Sequence, residues 1–282
     1  MKPVFVVGTA RSGSTVTARA LAAHPSVFKF KGSEPKFFCG LNGFNGFCLN
    51  LYRNTANDGL FFHWANNWYR RVEKRADGTD VSTGIFEELP EKEFKDICQE
   101  YWEATRAAKA DWDIVVPAIR RAYERIFSLI DPKGEKTHFI DDTPFNAMRV
   151  REIAAVFPDA LILHMIRDGR MVASSLMRLG WAASFQEGLY QWKARLDHAR
   201  ALARALDLPR ERYLEVDFAK LREDTDATFA DIFEVAGLEY DPKYKVAARF
   251  DADVANRYEP PASETAYFRE LAGDLIEEFG WE

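Results

Sequence analysis

The chain is 282 residues long, 47% hydrophobic, 14% aromatic and 29% charged, with a formal net charge of −6. These values describe a folded protein with a sizeable core and exclude a largely disordered chain. The acidic balance excludes a dedicated nucleic-acid binder and a polybasic membrane-surface protein, so any anionic ligand must be held by a focused basic site.

The first element is an apolar run, Val4 to Val7, which reads as a strand. At about five residues this run is short of the ~7 to 15 of a secretory h-region, and the N-terminus MKPVFVVGTARSGS predicts no targeting segment. The strand leads into GTARSGST, residues 8–15, and then into a helical pattern from Thr15 to Ala23. The loop has the spacing of a phosphate-binding loop, G-x-x-x-x-G-K-[ST], with Ser14 where the lysine belongs. Gly8 and Gly13 permit backbone conformations closed to other residues, and the helix behind them turns its unpaired N–H groups toward the loop. Ser12, Ser14 and Thr15 add hydroxyls and Arg11 a cation. Without a lysine to reach along a triphosphate, a shorter phosphate ester or anhydride is the expected ligand.

A second apolar run, Val27 to Phe30, is followed by KGSEPKFFCG and the glycine-rich GLNGFNGFCLN, which reads as an exposed mobile loop. Residues from about 41 to 131 break the strand–helix rhythm and are too many for a bare connection, so they read as a helical insertion punctuated by Asp77-Gly78 and Asp131-Pro132. Three strands resume the rhythm: His138 to Ile140, Leu161 to Ile166 and Tyr213 to Val216. Helices are expected at Asn146 to Phe157, Arg170 to Leu179 and Glu223 to Ala236. Strands alternating with helices predict an α/β fold with a mostly parallel central sheet flanked by helices, similar to P-loop NTPases, and one domain over residues 1–282 carrying the insertion.

The strand LILHMI delivers Arg167 to its carboxyl end, where ligands collect in doubly wound sheets. Ser175, eight residues on in the following helix, is placed to join it in clamping a phosphate. The alternative is a surface arginine paired with Asp168 or Glu187.

GTARSGST followed downstream by FPDALILHMIRDGRMVASSLM resembles the sulfotransferase family that uses 3′-phosphoadenosine 5′-phosphosulfate. The likeness extends to DTPFNAMRVREIAAVFPDA, to YLEVDFAKLREDTDATFADIFEVAGLEYDP and to GDLIEEFGW, and is nearest to the bacterial branch that resembles heparan-type enzymes. The resemblance implies that Arg11, Ser12, Gly13, Ser14 and Thr15 hold the 5′-phosphosulfate and that Arg167 and Ser175 hold the 3′-phosphate. A donor with no γ-phosphate explains the missing lysine. The acceptor is then a hydroxyl or amine on a small molecule, lipid or glycan, with adenosine 3′,5′-bisphosphate as the leaving product.

In such relatives a glutamate in an E-x-[KH]-F-F setting is the general base, which maps onto Glu34, with Lys36 orienting the acceptor or stabilising bridging charge. Many relatives have a lysine before the Thr/Ser-Pro of DDTPFN, where this chain has Asp142; capping or acceptor contact is expected of it rather than catalysis. The five histidines are scattered, and His164, inside an apolar strand, reads as a satisfied core residue. The aromatic stretches FFHWANNWYRR and GWAASFQEGLYQWKARL read as core or as pocket lining, with Trp192 on the adenine side. No metal is expected. Cys39, Cys48 and Cys98, odd in number and without CxxC spacing, predict a reducing, cytoplasmic setting. The remaining alternatives are a P-loop kinase or nucleotide hydrolase, for which Asp141 and Asp142 are the only acidic contenders, and a non-catalytic nucleotide-binding protein.

Overall fold

The computed structural model describes residues 1–31, 34–39, 43–52, 58–69, 72–74, 80–82, 85, 88–108, 111–250 and 262–281. In chain order the elements begin β1 (Lys2–Gly8), α1 (Ser14–Ala22), β2 (Val27–Phe28), α2 (Phe44–Tyr52), α3 (Asp58–Tyr69), β3 (Val72–Lys74), β4 (Asp80–Ser82), α4 (Glu91–Thr105) and α5 (Trp112–Ile130). They continue with β5 (His138–Asp141), a 3-10 turn (Pro144–Arg149), α6 (Val150–Val156), β6 (Leu161–Ile166), α7 (Gly169–Arg178) and α8 (Phe185–Ala205). The last are β7 (Tyr213–Asp217), α9 (Phe218–Glu223), α10 (Thr225–Ala236), a 3-10 turn (Pro242–Ala248) and α11 (Ala262–Phe279).

The central sheet has five strands in the order β2-β5-β1-β6-β7, and its registered pairs are parallel. Strands enclosed on both faces must be apolar on both, and Val4, Phe5, Val6 and Val7 of β1 and Leu161 to Ile166 of β6 are buried throughout. All five apolar runs of the sequence are strands of this sheet.

Packing groups the chain into two compact units: residues 1–3, 25–143 and 152–160, and residues 4–24, 144–151 and 161–282. In the first, β2 pairs with β5, Val27 opposite His138. Its interior is aromatic: Phe37, Phe44, Phe94, Phe139 and Phe157 surround Tyr123 and its neighbours at ring separations of about 5 to 6 Å. In the second unit β1 pairs with β6 and β6 with β7, Val4 opposite Leu161 and Ile162 opposite Tyr213. Helix α8 begins at Ser184, whose hydroxyl accepts from Glu187 N at 3.1 Å, and buries a stripe of Phe185, Leu189, Trp192, Leu196, Ala199 and Ala203 at helical spacing.

Two expectations change. The insertion is not wholly helical, because β3 and β4 form an antiparallel pair inside it; its Asp77-Gly78 turn lies outside the described residues. The GLNGFNGFCLN stretch is not an exposed loop: from Phe44 it is α2, with Phe44, Phe47 and Cys48 buried. Its glycines suggested mobility, yet the phenylalanines at a three-residue interval bury against Phe61 and Tyr101, and that burial outweighs the helix propensity of glycine. The described aromatics of FFHWANNWYRR follow the core reading: Phe61, Trp64 and Tyr69 are buried, and half-buried Phe62 packs on Phe61 and Trp102.

Gly169, the first residue of α7, admits no side chain: a Cβ there would lie 2.6 Å from the Trp192 ring. Gly169→Ala is expected to lower unfolding free energy by about 1–3 kcal/mol, the cost of overpacking. Urea denaturation tests this against Gly273→Ala, where an added methyl meets nothing within 4 Å and no such loss is expected.

Candidate functional site

Residues 8–15 connect β1 to α1 in the second unit. Gly13 caps α1 with φ +107°, a conformation that disfavours any side chain, and an added Cβ would also run into the Phe218 ring. The turn is closed by Ser12 N donating to Thr9 O at 3.1 Å and Thr17 N to Gly13 O at 3.2 Å. Ser12 and Ser14 are buried and Thr15 is exposed at the first turn of α1. No acidic residue occupies that turn, so the partial positive charge of the helix end is uncompensated.

Arg167 follows β6, and its Nη1 donates to Arg11 O at 3.0 Å, which brings the two predicted motifs into direct contact. Asp168 is not its ion-pair partner. That carboxylate caps α7 by accepting from Arg170 N at 2.8 Å and pairs with Arg170 Nη2 at 2.6 Å. Glu187 accepts from Ala183 N and Gln191. Arg167 instead stacks on Phe218, 4.7 Å from the ring centroid. Burial, and then the neighbouring charges of Arg11, Arg222 and Arg178, push its pKa down to about 10, against the opposing pull of Asp168; it stays charged at neutral pH. Ser175, on α7, accepts from Arg11 Nε at 3.1 Å, so the arginine assigned to the first motif reaches the serine of the second.

These groups border a pocket of about 260 Å³ lined by Arg11, Gly13, Ser14 and Thr15 together with Arg19, Arg167, Arg222, Arg249, Phe218 and Phe250. Among the described residues, five guanidiniums and no carboxylate line it, on a chain whose net charge is −6. Arg19, Arg222, Arg249 and both phenylalanines were missed from sequence; only Arg19, one turn beyond Thr15, carried a local signal. Trp192 requires a correction. It is 1% exposed within a core cluster, and its Nε1 donates to Arg167 O at 3.0 Å, so it anchors the strand end from beneath rather than facing a ligand.

Glu34 and Lys36 lie in the first unit, half-buried, with Lys36 Nζ 3.5 Å from a Glu34 carboxylate oxygen. Lys36 adopts φ +49°, and its N–H donates to Thr143 Oγ1 at 3.3 Å. Asp141 caps the turn, accepting from Thr143 N at 3.0 Å. Asp142, of which capping or acceptor contact is expected, is not seen to cap: it forms a buried ion pair with Lys29, Nζ to Oδ1 3.2 Å, with side chains 12% and 5% exposed. His164 is the core histidine expected, its Nδ1 2.6 Å from Tyr213 OH. Among the described residues no group of three or more His, Cys, Asp or Glu is placed to hold a metal, and no helix is long and apolar enough to cross a membrane.

The chain matches the family model described as the sulfotransferase family over residues 3–242. No curated protein matches it. Among solved structures it is similar to the sulfotransferase domain of the Synechococcus PCC 7002 olefin synthase, with TM-score 0.60 and 15% identity over 100% of this chain and 95% of that one. A sulfotransferase domain from the curacin biosynthetic pathway gives TM-score 0.55 and 16% identity over 97% of each chain. Sulfotransferase STF9 of Mycobacterium avium gives 0.52 and 14% over 100% of this chain and 77% of that one. At these identities the structural likeness establishes the fold.

The Lys29–Asp142 pair yields a stability test. Lys29→Met leaves a buried carboxylate unpaired and is expected to cost about 3–5 kcal/mol, whereas Lys29→Met combined with Asp142→Leu is expected to match or exceed wild-type stability. Urea denaturation of both variants checks this; equal losses would show that the pair is not the element being broken.

Proposed function

We propose that this chain, which belongs to the sulfotransferase family, moves a sulfonate group from 3′-phosphoadenosine 5′-phosphosulfate to a hydroxyl or amine acceptor. The single observation that carries the donor assignment is the five-arginine pocket at the N-terminus of α1, where both predicted motifs converge. Two anionic groups at opposite ends of one nucleotide suit two motifs that meet there. Ser12, Gly13, Ser14 and Thr15 hold the 5′ end through hydroxyls and helix N–H groups; Arg167 and Ser175 hold the 3′-phosphate, with Arg11 between the two sets. Arg222 and Arg249 add charge, and Phe218 and Phe250 offer apolar surface to a base.

The bound donor supplies an activated sulfonate. The protein aligns the acceptor, spreads developing charge and removes the acceptor proton. Glu34 is the proposed base, and Lys36, 3.5 Å away, the cation that steadies it and the bridging charge. Small molecules, lipids and glycans remain the acceptor classes; because two fold neighbours are domains of biosynthetic systems, an alcohol on a biosynthetic intermediate joins them. The acidic candidates of the kinase or hydrolase alternative are engaged elsewhere in part, Asp141 by Thr143 N and Asp142 by Lys29, and the loop still lacks the lysine that alternative needs.

Adenosine 3′,5′-bisphosphate is expected to raise the melting temperature well beyond the shift given by ATP with magnesium, and equal or reversed shifts would sink the donor assignment. Glu34→Gln is expected to leave bisphosphate binding within about twofold while cutting labelled-sulfonate transfer about a hundredfold or more, measured across a panel of alcohol, phenol and amine acceptors. Near-normal transfer by this variant would remove Glu34 as base.

A further inference from the structure

Ser175 is 5% exposed, and its hydroxyl has an unusual set of neighbours. Arg11 Nε lies 3.1 Å from Oγ and Arg178 Nη2 lies 3.4 Å from it. Arginine only donates, so both contacts use lone pairs of the serine oxygen, and a hydroxyl has two. What is left is its proton. A helical serine ordinarily gives that proton to the carbonyl four residues back, as adjacent Ser174 does to Arg170 O at 2.7 Å. Ser175 makes no such bond among the described residues. A buried hydroxyl proton without an acceptor is costly, and the groups around it, Arg11 and Arg178, are themselves donors.

We infer that Arg178, outside both motifs, is a specificity-determining residue of the second phosphate subsite: with Arg11 it occupies the lone pairs of Ser175 and makes that hydroxyl an obligate donor. The inference rests on the reading that a 3′-phosphorylated nucleotide binds this pocket. Its chemical content is selectivity by proton inventory. A phosphate monoester dianion offers only acceptors and satisfies Ser175, Arg11, Arg167 and Arg178 together. A free ribose 3′-hydroxyl offers one neutral oxygen that can accept from only two of these donors, leaves its own proton without an acceptor among them and brings no charge, so it is bound less well than the phosphate. Burial of Arg167 among like charges points the same way, since a dianion relieves repulsion that a neutral hydroxyl leaves in place.

The test uses the full chain, with adenosine 3′,5′-bisphosphate and adenosine 5′-monophosphate as the two probes in calorimetric titrations. Arg178→Ala is expected to weaken the bisphosphate about tenfold or more and the monophosphate less than twofold. Arg178→Lys, which keeps the charge, is expected to recover part of that loss. Because Arg178 is exposed, the fold is expected to survive, and the melting temperature of the unliganded variant verifies it. If Arg178 acts through Ser175, the Arg178→Ala, Ser175→Ala double variant loses less than the sum of the two singles. Wild-type protein that binds both probes equally overturns the donor reading, and this inference with it. Wild-type discrimination that persists undiminished in Arg178→Ala, or equal losses for both probes, overturns the inference alone.

Discussion

Mutual repulsion among guanidiniums is the constraint around which the second unit is arranged. Arg11, Arg19, Arg167, Arg222 and Arg249 border one small volume on a molecule that is acidic as a whole. Such a cluster is unfavourable by itself, and the surrounding framework must hold each charge in place. The framework is apolar and rigid. Strands β1 and β6 run side by side through the core and deliver Gly8 and Arg167 from adjacent carboxyl ends.

Beneath that surface, the supports are specific. The Trp192 indole holds the Arg167 carbonyl while its ring leaves no room at Gly169, so the strand end and the start of α7 are positioned by one side chain. Asp168 caps the helix and pairs with Arg170, which leaves Arg167 directed to the Arg11 carbonyl and the Phe218 face. The same Phe218 ring packs against Gly13, so one aromatic residue from a distant part of the chain touches both motifs. Positions that look ordinary in sequence therefore set the geometry of those that do not.

The sheet was legible because parallel strands buried on both faces read as unbroken β-branched and aromatic runs, and all five such runs pair in it. Ser12, Gly13, Ser14, Thr15, Arg167 and Ser175 were legible for a similar reason: each sits at a fixed offset from a strand end. Arg222, Arg249, Phe218 and Phe250 have no such offset. They reach the pocket through the tertiary path of β7 and α9 and of the turn after α10, and a lone arginine in an acidic helical stretch carries no local mark. The insertion misled differently. Its glycines suggested a loop, but the phenylalanine spacing across Phe44 and Phe47 was the stronger signal, and burial decided the outcome. Asp142 could be seen as a departure from its relatives, while its partner Lys29 stood more than a hundred residues earlier and was unmarked.

That pairing has a consequence for descent. Neither member can change sign or vanish without stranding the other inside the protein, so each constrains the substitutions its counterpart tolerates. A lineage entering or leaving this arrangement must pass through a neutral side chain at one position or alter two codons together. Lys29 and Asp142 are thus expected to be inherited together, and chains that carry one without the other are expected to have rebuilt the surroundings of whichever remains.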